Sequence, residues 1–430
     1  MNKVSKNIIE LLYTYLETDE NNSFRECSKY LSLLINSKYF STKIIHINTI
    51  NYYGKHKFRY FVHKYNLSIN IEDISRISEL SYFNSYNIKT ISFHLNFNEE
   101  YSKYFMPITL QKLNYGLNFN QPIKLKKIKL KNITFGGLFN QPITNHTFPS
   151  TLTDLQFGCN FNQKLTMLPP TLKILNVGAL FNQIIDENVL PSTLETLIFR
   201  RYNGPIKKNV LPVSLKFLKL GHEFNEIIEP QVLPLFLEEL HIGDDFNQPI
   251  EEHVLPTSLR KLIFGHRFNN NFKLPNKLEE LTFGFNFDQP IEYLPPTLKY
   301  LKFGFCFNQP INKNILPVSL ECLIFGAEFN KLIGAHVLPI NLKILIFGRK
   351  FYQPIIKNAL PASLKKLSFG ERFRECSLKY ITMSNIQSLT LGCLYKKVLK
   401  SEHLPVTLKE LYFYNRYGII NKINVINKYK

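Results

Sequence analysis

Adjacent carboxylates at Glu238-Glu239, Asp244-Asp245, Glu251-Glu252 and Glu279-Glu280 are the residues best placed by type for acid–base work. Two carboxylates sharing one site can divide into an acid and a base, because each raises the other's pKa. Neighbours along a strand point to opposite faces, however, so such pairs read as solvated surface rather than catalytic dyads. The eleven histidines are dispersed; His253 and His266 lie on different segments, with no partner at metal-ligand spacing. No G-x-x-x-x-G-K-[S/T] or G-x-G-x-x-G stretch occurs, and no nucleophile has a recognisable base nearby. Basic clusters run from Lys124 to Lys131 and recur at Arg200-Arg201, Lys396-Lys397 and Lys400. A nucleic-acid surface would need them on one face with exposed aromatics for stacking, and the periodic Phe residues are already needed inside. The chemistry points to a protein that is not an enzyme, takes no cofactor and holds no metal; nucleic acid is a disfavoured partner.

Composition supports an ordinary water-exposed chain, with 430 residues, 44% hydrophobic and 20% charged. No apolar run reaches the roughly 18–20 residues of a membrane span, and acidic residues interrupt the start before any signal core develops. The six cysteines are scattered and never form C-x-x-C, which suits free thiols in a reducing compartment. An intracellular, cytoplasmic location with no membrane partner is therefore expected. The net charge of +20 lies mainly beyond residue 100. It admits acidic or phosphate-rich partners, but an abundance of Lys, Asn and Ile throughout the chain gives the same excess without selection for binding.

The elements that must position these residues fall into two kinds. Residues 4–40 carry helix-like apolar spacing at Ile8, Ile9, Leu11, Leu12, Tyr15 and Leu16, then a polar break, then a second apolar segment from Phe24. A small α-helical unit is expected over 1–45. Residues 46–87 form a linker or N-terminal cap, although Lys43–Ile47 alternates like a strand. From about 88 to 417 one repeat takes over, with anchoring aromatics from Phe97 to Tyr417 at intervals of 19 to 22 residues, and 418–430 forms a C-terminal tail.

The idealised repeat reads Leu-Pro-x-[Ser/Thr]-Leu-x-x-Leu-x-Phe-Gly-x-x-Phe-Asn-Gln-Pro-Ile, followed by a short variable polar stretch. No copy could bury its own Leu and Phe alone, so the copies must stack. Leu301-Lys302-Phe303 is a short strand with alternate residues facing inward. Stacked strands give a parallel sheet in a solenoid of coils of about 22 residues. The glycine after the strand suits a corner with φ > 0 or close backbone approach. The next Phe fills the interior, and the Asn beside it, as in Asn120, Asn247 and Asn308, can bond backbone groups of neighbouring coils.

Phe246-Asn247-Gln248-Pro249-Ile250 and Phe307-Asn308-Gln309-Pro310-Ile311, with Leu255-Pro256-Thr257-Ser258-Leu259 and Leu316-Pro317-Val318-Ser319-Leu320, resemble the FNIP-repeat family. That family is a divergent relative of the leucine-rich repeats, and its members often open with an F-box. Asn7–Leu16 and Ser23–Tyr30 resemble a degenerate F-box, without the opening Leu-Pro and without the Trp common near its end. The resemblance implies that a face of Ile8, Leu11, Leu12, Tyr15, Leu16 and Phe24 docks on a Skp-type linker of a cullin ubiquitin ligase. The solenoid would then select a protein target. A stand-alone repeat scaffold is the alternative, and a basic nucleic-acid surface a weaker one.

A recognition surface belongs on the exposed side of the sheet, between the inward residues of each strand. Ile198, Lys219, His241, Ile263, Thr282, Lys302, Ile324, Ile346 and Ser368 occupy that outward position, and they vary where the interior does not. Lys219, His241, Ile263, Lys302, Ile324 and Ile346 are the candidate contacts. This assignment of faces makes a first prediction. Phe307→Ala should open a core cavity costing about 3–5 kcal/mol, whereas Lys302→Ala should cost little. Urea unfolding of the two variants compares them, and equal losses would reverse the faces.

Overall fold

The computed structural model describes residues 44–46, 67–71, 88–100, 106–373, 380–381, 385–392, 404–414 and 420–424. The expected helical unit, with Ile8, Leu11, Leu12, Tyr15, Leu16 and Phe24, lies outside the described residues. The chain divides into two compact units, Met1–Gly136 and Gly137–Lys430.

In the first unit β1 (Ile44–His46), β2 (Leu67–Ile71), β3 (Ile88–Phe93), β4 (Lys112–Asn114) and β5 (Asn132–Thr134) pair in sequence order, all parallel. The strand-like alternation at Lys43–Ile47 thus becomes β1, which straddles the boundary expected at residue 45. β2 carries the parallel pairing upstream of residue 88, with a register shift at Leu67/Ser68.

The second unit has one strand per coil. These are β6 (Asp154–Gln156), β7 (Ile174–Asn176), β8 (Thr196–Ile198), β9 (Phe217–Lys219), β10 (Glu239–His241), β11 (Lys261–Ile263) and β12 (Glu280–Thr282). β13 (Tyr300–Lys302), β14 (Cys322–Ile324), β15 (Ile344–Ile346), β16 (Lys366–Ser368), β17 (Ser388–Leu391) and β18 (Glu410–Tyr414) complete the parallel series. β19 (Ile420–Asn424) pairs antiparallel with β18, Tyr414 opposite Ile420. Within the segment expected to be a tail, residues 420–424 therefore form an edge strand. It covers amides and carbonyls that the last coil would otherwise leave unpaired.

In β4 and in β6 to β16 the central Leu faces inward, and Ile133 takes that place in β5. Leu301 and Phe307 are fully buried and Phe303 is 1% exposed, whereas Lys302 is exposed. The rings form two columns running from coil to coil. Phe303, Phe325, Phe347 and Phe369 stack at 5.5–5.6 Å between centroids. Phe287, Phe307, Phe329 and Phe351 stack at 6.0–6.1 Å. Within one coil the columns touch, with Phe303 and Phe307 at 3.8 Å. Coils lie about 4.8 Å apart, so centroid distances above that value mean offset rings, the favoured aromatic geometry. Val177, Leu220 and Ile242 interrupt the strand-end column with buried aliphatic side chains.

Of the two reasons offered for the corner glycine, close approach is the one that operates. A Cβ on Gly304 would lie 1.5 Å from the carbonyl oxygen of Gly284, and one on Gly326 would lie 1.5 Å from that of Gly304. Positive φ belongs instead to the stretch read as variable. Asn188 has φ 63° and Asn314 φ 70°, each three residues before the Pro of the next Leu-Pro, and Asn209, Gln231, His253, His336 and Asn358 do the same. Asn tolerates the left-handed region better than most residues, which explains its frequency there.

The prediction here contrasts two glycines. Gly304→Ala should destabilise by several kcal/mol, since backbone must move (about 3 kcal/mol or more). Gly334→Ala, whose added carbon meets only Val337 Cγ2 at 3.2 Å, should change stability by less than about 1 kcal/mol. Urea unfolding midpoints measure both.

Candidate recognition surface

Side chains of the Asn-Gln segment hold successive coils together outside the core. The Asn162 N–H donates to Asn140 Oδ1 at 2.9 Å, Asn182 to Asn162 at 3.0 Å, and Asn247 to Asn225 at 2.8 Å. Asp288 takes one place in this ladder, accepting from the Asn308 N–H at 2.7 Å. Gln adds a second tie: Gln289 Nε2 donates to Asn269 O at 3.2 Å. The ladder therefore works at a part-buried to exposed corner, not over deeply buried amides. A second ladder went unread in the sequence. The Ser or Thr of Leu-Pro-x-[Ser/Thr]-Leu donates to the carbonyl of that motif's last Leu one coil back, as Ser214 Oγ to Leu194 O and Ser319 Oγ to Leu298 O, both at 2.7 Å. These residues tie coil to coil.

Three rows on the sheet face are available. In the first, the position after the inward Leu, Lys219 lies beside His241, His241 beside Ile263, Lys302 beside Ile324, and Ile324 beside Ile346. The structure thus brings all six candidate contacts into one row, with Thr282 between Ile263 and Lys302. Lys302 is exposed and the other five half-buried. Ser368 departs from the expectation: it is 5% exposed, and Thr390 beside it is equally buried, so the outward row closes over at β16.

The second row, the position before the inward Leu, was missed. It carries Phe217, Glu239, Lys261, Glu280, Tyr300, Cys322 and Ile344 in adjacent coils. Glu239 accepts from His241 Nε2 at 2.6 Å and from Lys261 Nζ at 3.0 Å, joining the two rows. Burial works to raise the Glu239 carboxyl, but the hydrogen bonds from Lys261 and His241 outweigh it and hold the carboxyl below its usual value. Burial raises the Cys322 thiol, which therefore stays protonated and contributes as a small apolar group.

A third row lies one residue before each strand. Reading up the second unit it runs Lys173, Glu195, Lys216, Glu238, Arg260, Glu279, Lys299, Glu321, Lys343: a strict alternation of sign. Backbone bonds fix the register, with the Glu195 N–H on Lys173 O at 2.9 Å and the Lys343 N–H on Glu321 O at 2.8 Å. Side chains pair across it. Lys173 meets Glu195 at 2.9 Å, Glu279 meets both Arg260 and Lys299 at 2.7 Å, and Lys343 meets Glu321 at 2.8 Å. Of the carboxylates that looked like adjacent acidic pairs, Glu239 and Glu279 are thus held by cations, and Glu280 lies 3.8 Å from Lys261. Asp245 is held likewise by Arg267 at 3.2 Å, and Asp244 by His222. Among the described residues no cluster of His, Cys, Asp and Glu could hold a metal ion, and no helix is long and apolar enough to cross a membrane.

Parallel three-residue strands, inward leucines and cross-coil side-chain ladders define a leucine-rich-repeat-like solenoid. Its repeats match the FNIP Repeat family at residues 119–160, 161–201, 202–239, 224–267, 268–306, 307–350 and 329–372, and the chain belongs to that family. Among solved structures it is similar to CroV588, described as a novel circular LRR protein, with 34% identity and a TM-score of 0.59. The match covers 82% of this chain but 58% of that one, so the chain spans little more than half of its relative's length. A leucine-rich repeat protein from Bacteroides ovatus ATCC 8483 matches at 13% identity over 82% of this chain and 84% of that one, with a TM-score of 0.15. Comparison with curated proteins finds no match.

The ion pairs set a pH dependence. Hydrogen bonds from Lys299, then its charge, then Arg260 hold Glu279 below the usual carboxylate value, against a smaller opposing effect of burial. A carboxyl depressed in the folded chain contributes stability above its unfolded pKa and loses it as pH falls through the folded one. Stability should therefore hold from neutrality to about pH 5 and decline below it. Glu279→Gln should cost about 0.5 kcal/mol at neutral pH and shrink that acid decline, with less effect at high salt. Urea unfolding across pH measures it.

Proposed function

We propose that this FNIP solenoid recognises a protein partner with its exposed sheet face, and that it does so as an adaptor. One observation carries the reading: a continuous array of varied side chains, Lys219 to Ile346, rides on a scaffold whose Leu, Phe, Gly and Asn positions scarcely change. A repeat solenoid is suited to this, because each coil adds one independently variable position to an extended surface. The adaptor half rests on the F-box-like pattern of residues 1–45, which would couple the bound target to a Skp-type linker and so to ubiquitin transfer. Catalysis has no place in this reading; the chain supplies proximity.

The test uses the full chain in the cell that makes it, by proximity labelling and co-purification. The wild type should recover a Skp-type subunit. Leu11→Asp with Leu12→Asp should abolish that recovery and leave the target set intact. Lys302→Glu with Ile324→Thr should do the reverse. Failure of the wild type to recover any Skp-type subunit removes the adaptor and leaves a stand-alone scaffold. A labelled set unchanged by the sheet-face variant removes the sheet face as the recognition surface.

A further inference from the structure

The alternation of charge that runs from Lys173 along the third row stops after Lys343. After Lys343 the next positions are Lys365, Gln387 and Lys409, in the same backbone register, with the Lys365 N–H on Lys343 O at 2.9 Å and the Lys409 N–H on Gln387 O at 2.8 Å. Among the described residues of this row, Lys365 is flanked by Lys343 and Gln387, and Lys409 adjoins Gln387, so no carboxylate lies beside either. Lys366, in the second row, lies beside Ile344 on one side and Ser388 on the other. Lys365 and Lys366 are both exposed and enter no ion pair among the described residues. These lysines line a shallow trough of about 510 Å³ over β15 to β18, which Lys343, Lys409 and Ile344 also line. Glu410 is the one carboxylate in the lining, and Glu321 answers Lys343, so the trough keeps a positive excess.

The ground next to the trough is apolar. Ile344 lies beside Cys322, and Ile346 beside Ile324, on the same open face. All four are half-buried and so still present surface. Unanswered cations beside aliphatic surface call for a partner offering the complement of both. A lone inorganic anion would leave the isoleucines uncovered. A single-stranded nucleic acid would require exposed aromatic rings to stack on, and the trough lining contains none.

We infer that the face of β14 to β18 binds an acidic protein segment bearing aliphatic or aromatic side chains, with carboxylates over Lys365, Lys366 and Lys409 and apolar groups over Ile344 and Ile346. This deepens the sheet-face reading and rests on it. Elsewhere on this row in the second unit, Lys173, Arg260 and Lys299 are paired within the chain and Lys216 lies between Glu195 and Glu238, so an acidic segment is attracted more strongly here. Partners sharing that attraction are steered to the C-terminal coils, since complementary charge chiefly governs encounter and register.

The test measures anisotropy of a fluorescein-labelled peptide of alternating Glu and Leu against the full chain at low salt. Alternating Gln-Leu and Glu-Ser peptides and an oligouridylate serve as comparison probes. The Glu-Leu peptide should bind, and the Gln-Leu and Glu-Ser peptides should bind about tenfold more weakly. K365E/K366E should weaken Glu-Leu binding by about tenfold, and the milder K365Q/K366Q by about threefold. K207E/K208E, an equal change of charge on exposed residues of a connecting loop, should leave it within about twofold. No binding of the Glu-Leu peptide at low salt overturns the inference. So does oligouridylate binding as tight as the peptide's and weakened equally by both reversals, which would mark a diffuse polycation. Loss of binding in I344T/I346T but not in K365E/K366E would keep the sheet face and discard the acidic chemistry. Binding untouched by either pair would remove both.

Discussion

The contact on which the structure depends is the approach of each corner glycine to the carbonyl of the corner one coil before. At Gly136, Gly284, Gly304 and Gly326 the space a Cβ would need is already occupied by that carbonyl oxygen. This close approach is what allows the strand ladder, the Asn ladder and the two ring columns to share one coil spacing. If a side chain at the corner pushed two coils apart, all of these would lengthen together, because they are bonds of one translation. One coil of the second unit accommodates the loss of its corner glycine by shortening. Phe199-Arg200-Arg201-Tyr202 omits a residue, and Tyr202 still reaches the interior, 1% exposed. There its hydroxyl donates to Pro205 O at 3.3 Å, and burial pushes the phenol up to about 12.

With backbone and core committed to stacking, the surface is where coils differ, and its charges follow the same translation. A cation one coil from a carboxylate neutralises it locally, so the alternation from Lys173 to Lys343 makes the open face nearly silent at long range. Exposed pairs of this kind add little stability. Their larger effect is to remove stray attraction for acidic or basic partners along most of the face. The end of the alternation at Lys365 therefore marks a place with an unbalanced field, and the isoleucines beside it supply area that charge alone would not.

The outermost strands of each unit depart from the repeat. β19 turns back against β18, and β1 and β2 precede β3 as further parallel strands. An open solenoid end is an unpaired strand edge, and covering it prevents association with other chains. Neither end follows the repeat, which is why the sequence pattern read the last segment as a tail and did not register β2 at all.

The sequence by itself determined the coil. Its period, the inward Leu301 and Phe303, the buried Phe307 and the cross-coil bonding of Asn308 were legible because one translation relates all coils, so spacing along the chain equals neighbourhood in space. Only the tertiary structure decided why the glycine is glycine, since φ and close approach leave the same mark on a sequence. It alone placed the left-handed residues at Asn188 and Asn314, hidden in a stretch whose length varies. It also showed that Glu239 and Lys261 form a second outward row, because facing depends on where each three-residue strand begins. The candidate contacts could be named one at a time, but the interruption of charge at Lys365 became visible only once register set each residue beside its counterpart in the next coil.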